Sequence, residues 1–143
     1  MIMPTDRENQ FILSHRVARL ATVDRLGKPL VVPICYVYDG MNIYTPIDKK
    51  PKRVSVRGLK RIKNIMENPH VSLVVDEYHE DWDKLSYIII HGKAELIESG
   101  QEYQESLRLL TQKYAQYEQM NLTSLNLPVI KIIPERIISW GVV

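Results

Sequence analysis

Apolar and polar positions follow strand-like patterns in six segments of the chain, each short and bounded by turn residues. The segments cover residues 17–23, 30–38, 41–45, 71–75, 86–98 and 129–140. Asp39-Gly40, between the second and third segments, is a strong hairpin signal, and Gly27 permits a tight turn after the first. The first three segments therefore predict an antiparallel meander.

The segment 86–98 has the clearest alternation of the six. One face is apolar, with Ile88, Ile90, Ala94 and Leu96, and the other carries Tyr87, His91, Lys93 and Glu95. Gly92 keeps this alternation, and a glycine inside a strand indicates a bulge or the close approach of another backbone.

Helical spacing of apolar residues predicts three helices. Thr5 or Asp6 can cap a short first helix, with Phe11 and Ile12, and His15 as a third candidate, on its inner side. A second helix is predicted over 56–67, ending before Asn68-Pro69. A third is predicted over 101–120, where one face, packed onto the sheet, carries Tyr103, Leu107, Leu110, Tyr114 and Tyr117.

The order of these elements predicts the fold class. Six mostly antiparallel strands with only three helices favour a β-barrel or half-open barrel with flanking helices, because the strands are too closely linked for a parallel α/β sheet. The 143 residues are predicted to form one domain, 1–143.

Composition narrows the class of protein. Hydrophobic residues make up 45% and charged residues 25%, which is ordinary for a globular protein, and the net charge is only +2. The four histidines have no metal-ligand spacing, and the acidic run 76–83 lacks the glycine of a calcium loop. Cys35 lies in an apolar run and is predicted to be a small buried thiol. No apolar run reaches signal-peptide or membrane-span length, so we expect a cytoplasmic protein without a membrane partner.

Basic residues are concentrated between positions 49 and 63. This basic stretch holds eight cations and no acidic residue, while the rest of the chain is net acidic. The cations are Lys49, Lys50, Lys52, Arg53, Arg57, Lys60, Arg61 and Lys63. Like charges at helical spacing repel, and the stretch runs from a strand into a helix N-terminus, where anions are favoured.

Three interpretations of the basic stretch remain open from the residues alone. It can be a solvated face, a site for phosphate or a polyanionic small molecule, or a nucleic-acid surface. No aromatic residue is interleaved with the cations as a stacking platform, which disfavours nucleic acid.

Several motifs resemble those of the pyridoxamine 5′-phosphate oxidase-like split-barrel family. The similarity spans about residues 17–97 and consists of the order of elements together with segments 43–45 (IYT), 60–65 (KRIKNI) and 67–74 (ENPHVSLV). Segments 18–23 (ARLATV), 50–52 (KPK) and 76–82 (DEYHEDW) are similar to the deazaflavin (F420)-dependent branch. The resemblance implies a six-stranded split barrel and a homodimer, with a cofactor bound in a groove shared by both subunits.

The resemblance also implies roles for individual residues. By position, Lys60 and Arg61 match the phosphate ligands of the family. Tyr44 and Thr45 match a pair at the end of the preceding strand, and Lys63 matches a basic position of the deazaflavin branch. In the family, the strand that corresponds to residues 29–34 lines the cofactor ring. Flavin-binding relatives carry Arg and Lys at the two ends of this strand, whereas this chain has Pro29 and Ile34 there, which favours F420 over FMN. The remaining cofactor-binding residues we expect are Lys52, Arg57, Trp82 and Trp140.

The resulting hypothesis is an oxidoreductase that transfers a hydride between F420 or FMN and a small organic acceptor. The C-terminal segment lacks the substrate motif of true pyridoxamine-phosphate oxidases, so we do not expect vitamin B6 oxidation. No acid–base residue is singled out. The alternatives are a non-catalytic flavin or anion carrier on the same fold, and a nucleic-acid-binding module that uses the basic stretch.

Overall fold

A computed structural model describes residues 2–47 and 58–143. Within them the chain forms a curled antiparallel sheet flanked by helices. The strands are β1 (Ala18–Val23), β2 (Pro29–Ile34), β3 (Val37–Tyr38), β4 (Ile43–Pro46), β5 (His70–Glu77), β6 (Ser86–Ile97) and β7 (Val129–Gly141). The helices are α1 (Asp6–Ser14), α2 (Lys60–Glu67), α3 (Gln101–Lys113) and α4 (Ala115–Gln119).

The order of strands across the sheet explains why it curls. The order is β2-β1-β5-β6-β7-β4-β3, with every neighbouring pair antiparallel. The two edge strands, β2 and β3, are consecutive in the chain and are separated only by Cys35 and Tyr36. Because the three Cα steps from Ile34 to Val37 span at most about 11 Å, the edges must approach each other there, and the sheet becomes a half-open barrel. The predicted fold class is confirmed.

The strand count differs from the prediction, with seven strands where six were expected. The predicted strand over 30–38 divides into β2 and β3, because the chain leaves one edge of the sheet and joins the other at Cys35 and Tyr36. The backbone N–H and carbonyl of Tyr36 bond to the Tyr114 hydroxyl rather than to a neighbouring strand.

Strand β6 has the predicted alternation and the predicted irregularity at Gly92. Ile88, Ile90 and Ala94 are buried, whereas His91, Lys93 and Glu95 are exposed. The register with β7 shifts between His91 and Gly92. A Cβ atom at Gly92 would lie 2.3 Å from the Ile133 carbonyl oxygen, so only glycine fits this close approach.

The helices begin and end close to the predicted positions. Thr5 caps α1 in a capping box with Glu8, and Phe11 and Ile12 are buried. Helix α2 ends at Glu67, before Asn68-Pro69; the predicted residues 56 and 57 lie outside the described part of the chain. The predicted helix 101–120 is interrupted at Tyr114, whose backbone is extended (φ −121°, ψ 107°). All five residues of its predicted apolar face are nevertheless buried.

Two apolar clusters hold these elements together. The larger fills the barrel, where Leu20, Ile62, Leu73, Ile90 and Ile132 are fully or almost fully buried. The smaller joins α3 and α4 to the sheet and contains Val37, Tyr44, Leu107, Leu110 and Val129. Among the described helices, none is long and apolar enough to cross a membrane.

Candidate functional site

The N-terminus of α2 carries positive charge and, among the described residues, has no side-chain cap. Leu59 is the N-cap residue, so no side chain caps the helix, and the first turn contains no acidic residue. It contains Lys60 and Arg61 instead. The first N–H groups of a helix lack intrahelical partners and lie at the positive end of the helix dipole. This end of α2 is therefore electrostatically suited to an anion.

Thr45 and Arg61 line one pocket of about 300 Å³, although they are 16 residues apart in the chain. The end of β2 contributes Pro33 and Ile34, and α4 contributes Tyr117. The Thr45 side chain is buried and Arg61 is partly buried. This Thr45–Arg61 pocket thus joins a hydroxyl donor and a guanidinium to an apolar wall.

Lys60 and Lys63 lie outside the pocket lining. The Lys60 Nζ is 3.4 Å from Asp24 Oδ2, and the Asp24 carboxylate also accepts hydrogen bonds from the N–H groups of Leu26 and Lys28. These contacts, the Lys28 N–H first, hold the pKa of Asp24 below its usual value. Lys63 is exposed on α2. Within the described residues, Arg61 is the cation that lines the pocket.

Tyr44 points away from Thr45, because neighbouring residues of a strand face opposite sides of the sheet. Its hydroxyl donates to Glu102 Oε2 at 2.7 Å, and the same carboxylate oxygen is 2.7 Å from Lys131 Nζ. Lys131 and then Tyr44 lower the pKa of Glu102, while burial raises that of Tyr44. The Tyr44 side chain belongs to the smaller apolar cluster and does not line the pocket.

Neither Trp82 nor Trp140 is among the residues that line this pocket. Trp82 is exposed in a short 3₁₀ turn, with its indole Nε1 3.4 Å from the Tyr78 hydroxyl. Trp140 is half-exposed and stacks on Tyr87, with ring centroids 5.5 Å apart. Lys52 and Arg57 lie outside the described residues.

The sequence reasoning missed Cys35 and Tyr117 as pocket residues and Tyr114 as the residue that fixes the pocket wall. The Tyr36 N–H donates to Tyr114 Oη at 3.0 Å, and the Tyr114 hydroxyl lies 2.9 Å from the Tyr36 carbonyl and 2.8 Å from the Arg16 carbonyl. The backbone that these bonds hold adjoins two residues of the pocket lining. Tyr36 follows Cys35, and Arg16 precedes Val17. The only signal in the sequence was a tyrosine on an apolar helix face.

A reciprocal pair of cations reinforces the same wall. Lys113 Nζ donates to the His15 carbonyl at 2.6 Å, and the Arg16 guanidinium donates to the Lys113 carbonyl at 2.5 Å. Lys113 Nζ also lies 4.0 Å from the centroid of the Tyr36 ring. Burial, and then the Arg16 charge, lowers the pKa of Lys113 to about 8.

Comparisons with known proteins agree with this architecture. The chain is 24% identical to a 5a,11a-dehydrotetracycline/5a,11a-dehydrooxytetracycline reductase of Streptomyces rimosus, over 96% of this chain and 83% of that protein. A crystal structure of the conserved hypothetical protein Rv2991 from Mycobacterium tuberculosis superposes with a TM-score of 0.78 at 20% identity, covering 98% of this chain and 86% of that one. The heme storage protein HutZ from Vibrio cholerae superposes with a TM-score of 0.74 at 16% identity, covering 97% and 95%.

The family model described as pyridoxamine 5′-phosphate oxidase matches residues 4–141, which is nearly the whole chain. The family expected from the sequence motifs is thereby confirmed. This protein belongs to the pyridoxamine 5′-phosphate oxidase family.

Proposed function

We propose that this protein is an oxidoreductase that binds a phosphorylated deazaflavin or flavin and transfers a hydride between it and a small organic acceptor. The observation that carries this proposal is the Thr45–Arg61 pocket beside the uncapped, cation-bearing start of α2. A reductase relative and an oxidase family are consistent with oxidation–reduction chemistry.

The phosphate would be held at Arg61 and Thr45. A guanidinium can donate two parallel hydrogen bonds to a phosphate, and such charge-assisted bonds are about twice as strong as neutral ones. The Thr45 hydroxyl and the first N–H groups of α2 supply further donors. A positive field for the phosphate and for an anionic cofactor tail would come from four further cations, namely Lys60, Lys63, Lys52 and Arg57.

The ring would lie along β2, where the residues present are apolar. Pro33 and Ile34 form part of the pocket wall and offer no charged group to a flavin ring. Contact through backbone groups is therefore expected, and this supports F420 over FMN. The cofactor would supply the hydride chemistry, while the protein binds it, orients it and excludes water.

A second copy of the chain would complete the site. Across β1, β5, β6 and β7, the outward positions Arg19, Val74, Ile89 and Ile138 stand opposite one another, and the last three are only partly buried. Val74, Ile89 and Ile138, together with exposed Val31, form an apolar surface suited to a homodimer. In that dimer, Trp82 or Trp140 of the second copy would flank the cofactor ring.

Titration of the apo-protein with FMN and with F420 tests the proposal. We expect binding tighter than millimolar for at least one cofactor, weakened about tenfold or more by Arg61→Ala, since a charge-assisted hydrogen bond contributes about 1.5–3 kcal/mol. Arg108→Ala is the matched control, because Arg108 is exposed on α3 and paired with Glu105. Failure of both cofactors to bind, or equal effects of the two substitutions, would contradict the assignment.

A non-catalytic carrier is the second candidate. It is favoured by the absence, among the described residues of the pocket, of a carboxylate or histidine that could act as acid or base. Reduction of quinones, tetrapyrroles or nitro compounds by the cofactor-loaded protein would support the enzyme, and binding without turnover across that panel would support the carrier.

A further inference from the structure

A second cavity, of about 590 Å³, lies between the N-terminal segment, the β3–β4 turn and β7. Met3 and Met41 stand at its rim, and we refer to it as the Met3–Met41 cavity. It shares no lining residue with the Thr45–Arg61 pocket. Its volume falls within the range of roughly 300–1,000 Å³ that is typical of small-molecule sites.

The walls of this cavity leave large apolar side chains in contact with water. Met3, Met41 and Ile133 are 86%, 62% and 38% exposed, respectively. Ile133 and Pro134 lie where β7 passes Gly92 at the β-bulge, and Pro134 is buried beneath the cavity. A ligand that covers these side chains removes apolar surface from water, and the flexible methionines can adapt to its shape.

The polar groups of the cavity are few and uncharged. Among the described residues that line it there is no Lys, Arg, His, Asp or Glu. The Tyr38 hydroxyl lies 2.7 Å from Asn9 Oδ1 and 3.0 Å from the Gly40 carbonyl oxygen, and these two acceptors share its single proton. The Asn9 NH₂ group has no acceptor within the described residues, so it can donate to a ligand.

We propose that the Met3–Met41 cavity binds a neutral, mainly apolar organic molecule that carries a hydrogen-bond acceptor such as a ketone. Burying a charged ligand among side chains without a counter-charge is costly, which excludes anions and cations as its natural class. The acceptor would face the Asn9 amide, and the apolar body would lie against Met3, Met41 and Ile133. This site does not depend on the cofactor assignment.

A solvatochromic naphthalene ketone, Prodan, is a suitable probe, because it is neutral, carries a carbonyl and shifts its emission to the blue in apolar surroundings. The full chain should carry any affinity tag at the C-terminus, since Ile2, Met3 and Pro4 form one wall. Met41→Glu places a carboxylate at the rim. Leu26→Glu is the matched control, because Leu26 is also well exposed (73%, against 62% for Met41) and lies in the β1–β2 turn, outside the cavity.

We expect saturable, blue-shifted binding of one Prodan per chain, weakened about tenfold by Met41→Glu and unchanged by Leu26→Glu. Asn9→Asp, which replaces the NH₂ donors with an oxygen, should weaken it as well. An anionic naphthalenesulfonate should bind less tightly than Prodan, and excess FMN should not displace Prodan. Thermal melts check that each variant is folded. Met41→Lys is a second variant that places a charge at the rim of the cavity.

Three results would overturn this proposal. They are the absence of saturable binding, equal weakening by Met41→Glu and Leu26→Glu, and conversion of a dimer to a monomer by Met41→Glu in size-exclusion chromatography. The last result would show that a second copy of the chain covers these side chains.

Discussion

Replacement of Tyr114 by phenylalanine removes the hydroxyl that holds the backbone beside the wall of the Thr45–Arg61 pocket and leaves the ring in place. That hydroxyl accepts the hydrogen bond of the Tyr36 N–H at 3.0 Å. It also lies within hydrogen-bond distance of the Arg16 and Tyr36 carbonyls, which share its single proton. Tyr36 is fully buried, so its N–H would be left without a partner.

The expected loss of stability follows from these contacts. An unsatisfied buried donor costs about 1–3 kcal/mol, and the lost hydrogen bond to a carbonyl about 1 kcal/mol more, which gives roughly 2–4 kcal/mol for Tyr114→Phe. For a chain of this length, Tm falls by about 3 °C for each kcal/mol of lost stability, so the expected fall in Tm is roughly 6–12 °C. Cofactor affinity should also fall, because Cys35 and Val17 of the pocket wall adjoin the released backbone.

Urea denaturation and differential scanning calorimetry measure this loss directly. Tyr87→Phe is the matched control, because the Tyr87 hydroxyl makes no hydrogen bond within the described residues while its ring stacks on Trp140. The reasoning is refuted if Tyr114→Phe changes the free energy of unfolding by less than about 0.5 kcal/mol, the usual range for a surface substitution, or by no more than Tyr87→Phe does.

Three further predictions concern other parts of the fold. Gly92→Ala should lower the free energy of unfolding in urea by about 1–3 kcal/mol, since its Cβ would lie 2.3 Å from the Ile133 carbonyl oxygen; an unchanged midpoint would contradict the bulge geometry. Thr5→Ala should lower it by about 1 kcal/mol through loss of the capping box, and a neutral effect would show that the cap is unimportant. Folding lowers the pKa of Lys113 to about 8 from 10.5, so the unfolded chain binds more protons above pH 8, and stability should rise with pH between about 8 and 10 relative to Lys113→Met. Parallel stability profiles of the two proteins over that pH range would refute it.

Local periodicity was enough to predict the elements that obey it. The alternation of β6 and the apolar face of α3 and α4 follow from side-chain spacing, and burial confirms both. The division of the predicted strand 30–38 was out of reach, because Tyr36 is bonded by Tyr114, which lies 78 residues further along the chain. The extended backbone at Tyr114 likewise has no signal in an otherwise regular helical pattern.

The site was only partly predictable for the same reason. The family resemblance selected Thr45, and the basic stretch together with the resemblance selected Arg61; the fold brings the two together across 16 residues. Tyr44 and Thr45 were both expected at the cofactor, but they lie on opposite faces of β4 and only Thr45 lines the pocket. Trp82 and Trp140 do not line the pocket of this chain, and the sequence carries no signal for their distance from it.

In the proposed function, the start of α2 holds the phosphate of the cofactor through Arg61. Calorimetric titration of the wild type and of Arg61→Ala, each with FMN and with riboflavin, isolates that contact, because the two ligands differ only in the phosphate. The account predicts that Arg61→Ala weakens FMN binding about tenfold or more while riboflavin binding is unchanged. Equal weakening of both ligands, or of neither, would contradict it.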